Sequence, residues 1–172
     1  MPADWALILS DVSATTNFPL LFITSTTRDG ASSNVADYNS FVQTRAKTGH
    51  AGISDACGDL FKVVGSTASV KARQNTDSES TDTDAAIYWL DNGEKVADNY
   101  TDFYDGSWDG DKMEANENGG DMASGSIYFR GYNDDGNCLS GYEFGKGQIA
   151  ISTVSSALWD SRAGTGTSSC DQ

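Results

Sequence analysis

Basic residues are scarce in this sequence. Lys and Arg total 11 against 25 Asp and Glu, for a formal net charge of −14. Nucleic acids are polyanions and need a basic footprint on their partner. No such stripe occurs, which argues against a nucleic-acid partner. An anionic membrane surface is disfavoured on the same ground. Long apolar runs are missing too. A membrane helix needs roughly 20 mostly apolar residues, whereas segment 5–9 is short and flanked by Asp4 and Asp11. That segment also lacks the basic start of a signal peptide. Met1-Pro2-Ala3 reads as a processing start, so export is expected to rely on a leader outside this sequence.

Proline is limited to Pro2 and Pro19, so turns fall to the 18 Gly and to Asn, Asp and Ser. Histidine occurs once, at His50, and no Cys-x-x-Cys is present. A zinc module is therefore not indicated. A Ser–His–Asp triad would have to use His50, and no Gly-x-Ser-x-Gly elbow accompanies it. Phosphate-loop and dinucleotide fingerprints are absent as well. The three cysteines, Cys57, Cys138 and Cys170, are an odd number. A disulfide suits an exported domain, and at least one thiol is left over. Cys57 lies between Asp55 and Asp59, where negative charge opposes a nucleophilic thiolate.

What is there suits one domain over residues 1–172, with 1–19 as an N-terminal strand or assembly segment. Aromatics make up 10 % of the chain and include four Trp, too many for a disordered polymer. Residues 20–24 read as a buried strand closed by a turn. Residues 34–47 read as a helix, capped by Ser33 or Asn34 and ended by Gly49, with Val35, Tyr38, Phe41 and Val42 on one face. Strands are expected at 61–65, 86–90, 125–132 and 148–152, with an Asn-Gly turn at 92–93. Residues 74–84 and 105–121 read as polar loops, the second too polar for a core. A loop that long is uncommon unless it is functional or tied down.

The second loop supplies the candidate metal site. Asp105, Ser107 and Asp109 place oxygens at alternate positions before Gly110, as at the start of an EF-hand loop, and Asp111, Glu114, Asn116 and Glu117 follow. Calcium requires several hard oxygens on a flexible turn. The twelfth position is Asn116 where that loop needs Glu, and a solvated acidic loop explains the same residues. Asn133, Asp134 and Asp135 form a second oxygen-rich turn that joins the first if the fold brings them together; alone it is an ordinary turn. Trp108, Tyr104 and Tyr132, with Tyr100, lie beside these loops and suit sugar stacking, although burial is the commoner use of such rings. Trp5, Trp89 and Trp159 read as core. Asn99-Tyr100-Thr101 is a glycosylation acceptor in a cell that glycosylates.

Three segments carry a resemblance. Leu21-Phe-Ile-Thr-Ser-Thr26 followed by Val35-Ala-Asp-Tyr-Asn-Ser-Phe-Val-Gln-Thr-Arg-Ala46 is the first. The most specific is residues 87–109, which include Lys95-Val-Ala-Asp-Asn-Tyr-Thr-Asp-Phe-Tyr-Asp-Gly-Ser-Trp-Asp109. The third is Arg130-Gly-Tyr-Asn-Asp-Asp-Gly136 with Asn137-Cys138 and, much later, Cys170. Together they resemble a family of exported bacterial domains, mostly of unknown function, with the collagen-endostatin-like, C-type-lectin-like fold. The resemblance spans about residues 20–170 and is dense only in its second segment. It departs from the pattern at Val42, where the family's helix carries a cysteine, and at the C-terminus, which stops before a closing strand.

The resemblance implies an α+β domain of one or two helices, short and mainly antiparallel strands and long loops, with the lectin-like core at 20–170. It implies a Cys138–Cys170 disulfide that leaves Cys57 aside. With the absence of catalytic motifs, the expected reading is a secreted or cell-surface, non-enzymatic binding module for a carbohydrate or protein ligand, with calcium as a candidate cofactor from the oxygen spacing at 105–111. Two other readings stay open. One is a self-assembling subunit of a surface layer or filament. The other is a glycoside hydrolase using a carboxylate pair, since 25 acids will bring some pair within range by chance.

Overall fold

The first 30 described residues already form a strand, a tight polar turn and a capped helix. In this computed structural model the described residues are 19–26, 28–50, 53, 55–78, 86–90, 93–105, 116–120, 136–138, 140–141 and 143–146. The long helix, α1 (Val35–Gly49), begins where Asn34 leaves the extended region and its Oδ1 accepts the Ala36 N–H at 3.2 Å. Asp37 in the first turn and Lys47 in the last match the helix dipole. The buried side of α1 is narrower than its apolar spacing implies. Tyr38 and Ala46 are buried, while Val35, Phe41 and Val42 are only partly covered.

Among the described residues three short helices accompany it: α2 (Asp55–Gly58), α3 (Ala72–Asn75) and α4 (Tyr100–Phe103). Asn99 caps α4 by accepting the Asp102 N–H at 3.0 Å, which gives this acceptor-motif residue a structural task.

Three strands form one mixed sheet in the order β1 (Leu20–Leu21), β2 (Ile87–Trp89), β3 (Lys95–Ala97). β1 runs parallel to β2 with Leu20 opposite Tyr88, and β2 runs antiparallel to β3 with Ile87 opposite Ala97. Gly93 at φ 69° donates to the Trp89 carbonyl, and Trp89 donates to the Glu94 carbonyl, so the described half of the expected Asn-Gly turn lies between hairpin strands. An α+β domain with a small mixed sheet is thus present. Ile87, Trp89, Val96 and Ala97 of the sheet form one buried cluster with Ile23, Ala72, Phe103 and Tyr104. Trp89 is core, as expected; Trp5 and Trp159 lie outside the described residues.

Residues 61–65 do not form the expected strand. Their backbone is held by side-chain amides in place of a neighbouring strand. Val63 N donates to Asn39 Oδ1 at 2.9 Å, and Val63 O accepts from Asn75 Nδ2 at 2.7 Å. The expected strands 125–132 and 148–152 lie outside the described residues.

Candidate functional site

The far end of the acidic segment is not a solvated loop. Glu117 is fully buried, with 0 % of its surface exposed. Three features deliver it. Asn116 forms a parallel bridge to Ile23, just beyond β1. Asn116 Oδ1 accepts the Asn118 and Gly120 N–H groups at 2.9 and 3.2 Å, closing a turn that uses Gly119 at φ 73°. Gly49 then supplies the room: a side chain there would run into the Glu117 Cγ and meet its carbonyl oxygen at 2.9 Å. Gly49 ends the helix, as expected, with His50 as the C-cap, and its missing Cβ also makes way for Glu117.

Every oxygen of that carboxylate is engaged. Oε2 accepts the Ser25 N–H at 2.6 Å. Oε1 accepts the Ser25 hydroxyl and Arg45 Nε, each at 2.6 Å, and Arg45 Nη2 also pairs with it. Ser25 Oγ in turn accepts from Arg45 Nη2 at 2.7 Å and from Asn118 Nδ2 at 3.0 Å. Burial pushes the Glu117 carboxyl up, but the hydrogen bonds from Ser25, its own backbone and Arg45 outweigh it and hold the group below its ordinary value. A carboxylate so stabilised and so enclosed is a weak base. It serves as an anchor and not as a calcium oxygen or a general base, which corrects its place among the candidate ligands.

The near end of the segment is anchored as well. Tyr104 is 2 % exposed. Its ring meets Phe103 edge to face at 4.9 Å, and the Arg73 guanidinium lies 4.6 Å above it. Its hydroxyl lies 3.5 Å from Thr76 Oγ1. Tyr104 was expected to offer a stacking surface; it is a core ring, because α4 turns it inward. Tyr100 is half-buried against the same cluster. Asp105 follows directly and is exposed.

Gly136, next in sequence to Asp135, packs onto this end. Its φ is +70°, and a Cβ there would lie 2.8 Å from the Tyr104 ring and 2.7 Å from Arg73 Cγ. Among the described residues Tyr104 and Gly136 are therefore in contact. Ser107, Trp108, Asp109, Asp111, Glu114, Tyr132, Asn133, Asp134 and Asp135 lie outside the described residues. Among the described residues no group of three or more His, Cys, Asp or Glu is placed to hold a metal. Cys138 is fully buried, Cys57 is an exposed thiol on α2, and Cys170 lies outside the described residues. No described helix is long and apolar enough to cross a membrane.

The Arg45–Glu117 pair was not found from sequence. The partners are 72 positions apart, and Glu117 sits in a stretch of Gly, Asn and Asp that signals solvent. The one available hint was Arg45 itself, which faces the same side of α1 as Tyr38 to within two turns. No protein-family model matches this chain, and neither does any curated protein or solved structure.

Proposed function

We propose that this chain is an exported, non-enzymatic recognition module of C-type-lectin-like, endostatin-like architecture. Its binding face is the acidic, Gly-rich segment between Asp105 and Asn116, joined by residues 133–135. Trp108 and Tyr132 are the rings offered to a carbohydrate or protein ligand, and calcium is the ion that gathers Asp105, Ser107, Asp109, Asp111 and Glu114. Cys138 and Cys170 form the disulfide that holds the later part of the chain.

One observation carries this reading: Glu117 is buried on Arg45 and Ser25, so a highly polar segment is fastened at its far end by a costly internal ion pair. Solvated loops need no such fastening. A polar segment held at both ends suits a surface that must keep its shape for a partner. The enclosed state of Glu117 supports a binding role over carboxylate chemistry at this residue.

Calorimetric titration of the folded protein with calcium, followed by glycan and peptide arrays with and without the ion, tests the reading. Binding of a glycan or peptide that calcium strengthens supports it. Silence on both arrays contradicts it. Light scattering at high protein concentration separates it from self-assembly: calcium-dependent growth in mass would favour a filament or layer subunit.

A further inference from the structure

The described cations of this strongly acidic chain mostly have a carboxylate beside them. Arg28 pairs with Asp37, Arg45 with Glu117, Lys47 with Asp59, Lys62 with Asp77, Lys95 with Asp98 and Lys146 with Glu143. Arg73 stands apart. No described carboxylate pairs with it, and its Nε–H is buried without an acceptor. Its position is nonetheless built. The stem packs against Gly136, where any side chain would displace it, and the guanidinium is stacked on the Tyr104 ring. Ser78, 3 % exposed, binds the Arg73 carbonyl through its N–H at 2.9 Å and so ties down the backbone behind it.

A desolvated guanidinium N–H without an acceptor is an unfavourable state that an incoming oxyanion relieves. Stacking on an aromatic ring holds the planar fork in one orientation, which lowers the ordering cost of binding. The fork matches the two oxygens of a carboxylate. The field of the whole chain chooses among anions: at a net charge of −14 a doubly charged phosphate is repelled more than a singly charged carboxylate. Arg73 also lies against Tyr104 and Gly136, the described residues that flank Asp105 and Asp135 in sequence.

We propose that Arg73 is an anion subsite that takes the carboxylate of the ligand, with an acidic sugar as the ligand class. The inference rests on the recognition reading for its biological meaning, but the chemistry of the subsite is tested without it. Calcium is removed with EDTA so that no metal bridges the ligand. The Arg73 Nε–H resonance is followed by NMR while glucuronate, acetate or glucose is added at constant ionic strength.

Both carboxylates should produce a saturable shift at Arg73 and the Tyr104 ring, and glucose none. Arg73→Gln should weaken glucuronate binding by about tenfold or more, with its spectrum unchanged away from Tyr104 and Gly136. If that variant does not fold, the wild-type comparison of glucuronate with glucose decides alone. No saturable shift with either carboxylate, or an equal shift with glucose, overturns the subsite. A neutral glycan that binds while carboxylates leave Arg73 unmoved overturns this inference and leaves the recognition reading standing. Carboxylate binding at Arg73 with silent glycan arrays does the reverse.

Discussion

Asn39 on α1 and Asn75 on α3 hydrogen-bond to each other through both amides, Nδ2 to Oδ1 at 2.8 Å one way and 2.9 Å the other. The same two side chains satisfy Val63 N–H and Val63 C=O. One pair of amides thus joins two helices and replaces the partner strand that residues 61–65 lack. Asn75→Ala should cost about 1–3 kcal/mol, because it strips donors and acceptors from a buried network. Chemical denaturation checks it, and amide exchange at Val63 should quicken in the same variant.

Gly49 gives a test in which local and tertiary preferences oppose each other. Glycine inside a helix is disfavoured by about 1 kcal/mol relative to alanine, so propensity alone makes Gly49→Ala stabilising. The new methyl would instead collide with the Glu117 side chain and carbonyl. The variant should be destabilised by about 1–3 kcal/mol, the usual range for overpacking, as read from the urea midpoint. Gly58→Ala is the control, since the atoms nearest its new methyl belong to the flexible stem of Lys47.

Gly136→Ala should destabilise for two reasons together. Its φ of +70° is a region that side chains avoid, and its Cβ would strike the Tyr104 ring and Arg73. A loss of about 1 kcal/mol comes from the backbone alone, with the collision adding to it. Thermal unfolding measures the sum.

Acid should weaken the fold through Glu117. Its folded-state value lies below the ordinary 4.5, so its contribution is complete above that value and is lost as pH falls through the lower, folded one. Stability should therefore decline as the pH drops from about 4.5. Glu117→Gln should be less stable at neutral pH, by about 3 kcal/mol for a broken buried pair, with a flatter acid limb. Denaturation curves at a series of pH values show both effects.

Much of this was legible locally. Asn34, Asp37 and Lys47 mark the ends of α1 through capping and the dipole, and the Asn-Gly pair marks the β2–β3 hairpin. What was not legible depends on partners distant in sequence. Residues 61–65, with Phe61, Val63 and Val64 ahead of Gly65, carry a strand's composition, yet the hydrogen-bond partners of Val63 are amides from Asn39 and Asn75 and not another strand. Tyr104 sits next to an acidic run, but α4 rotates it into the core. Glu117 is the sharpest case. Nothing in its neighbours foretells burial, because the compensating charge comes from Arg45 on α1 and the hydroxyl from Ser25 after β1.

The anchoring of the acidic segment is tested most directly by hydrogen exchange at residues 116–120 and Ser25, compared between the wild type and Glu117→Gln at neutral pH. Exchange there should accelerate by about tenfold or more in the variant, while the central turns of α1 keep their protection. Equal protection of residues 116–120 in both proteins would contradict the claim that Glu117 fastens this segment to the fold.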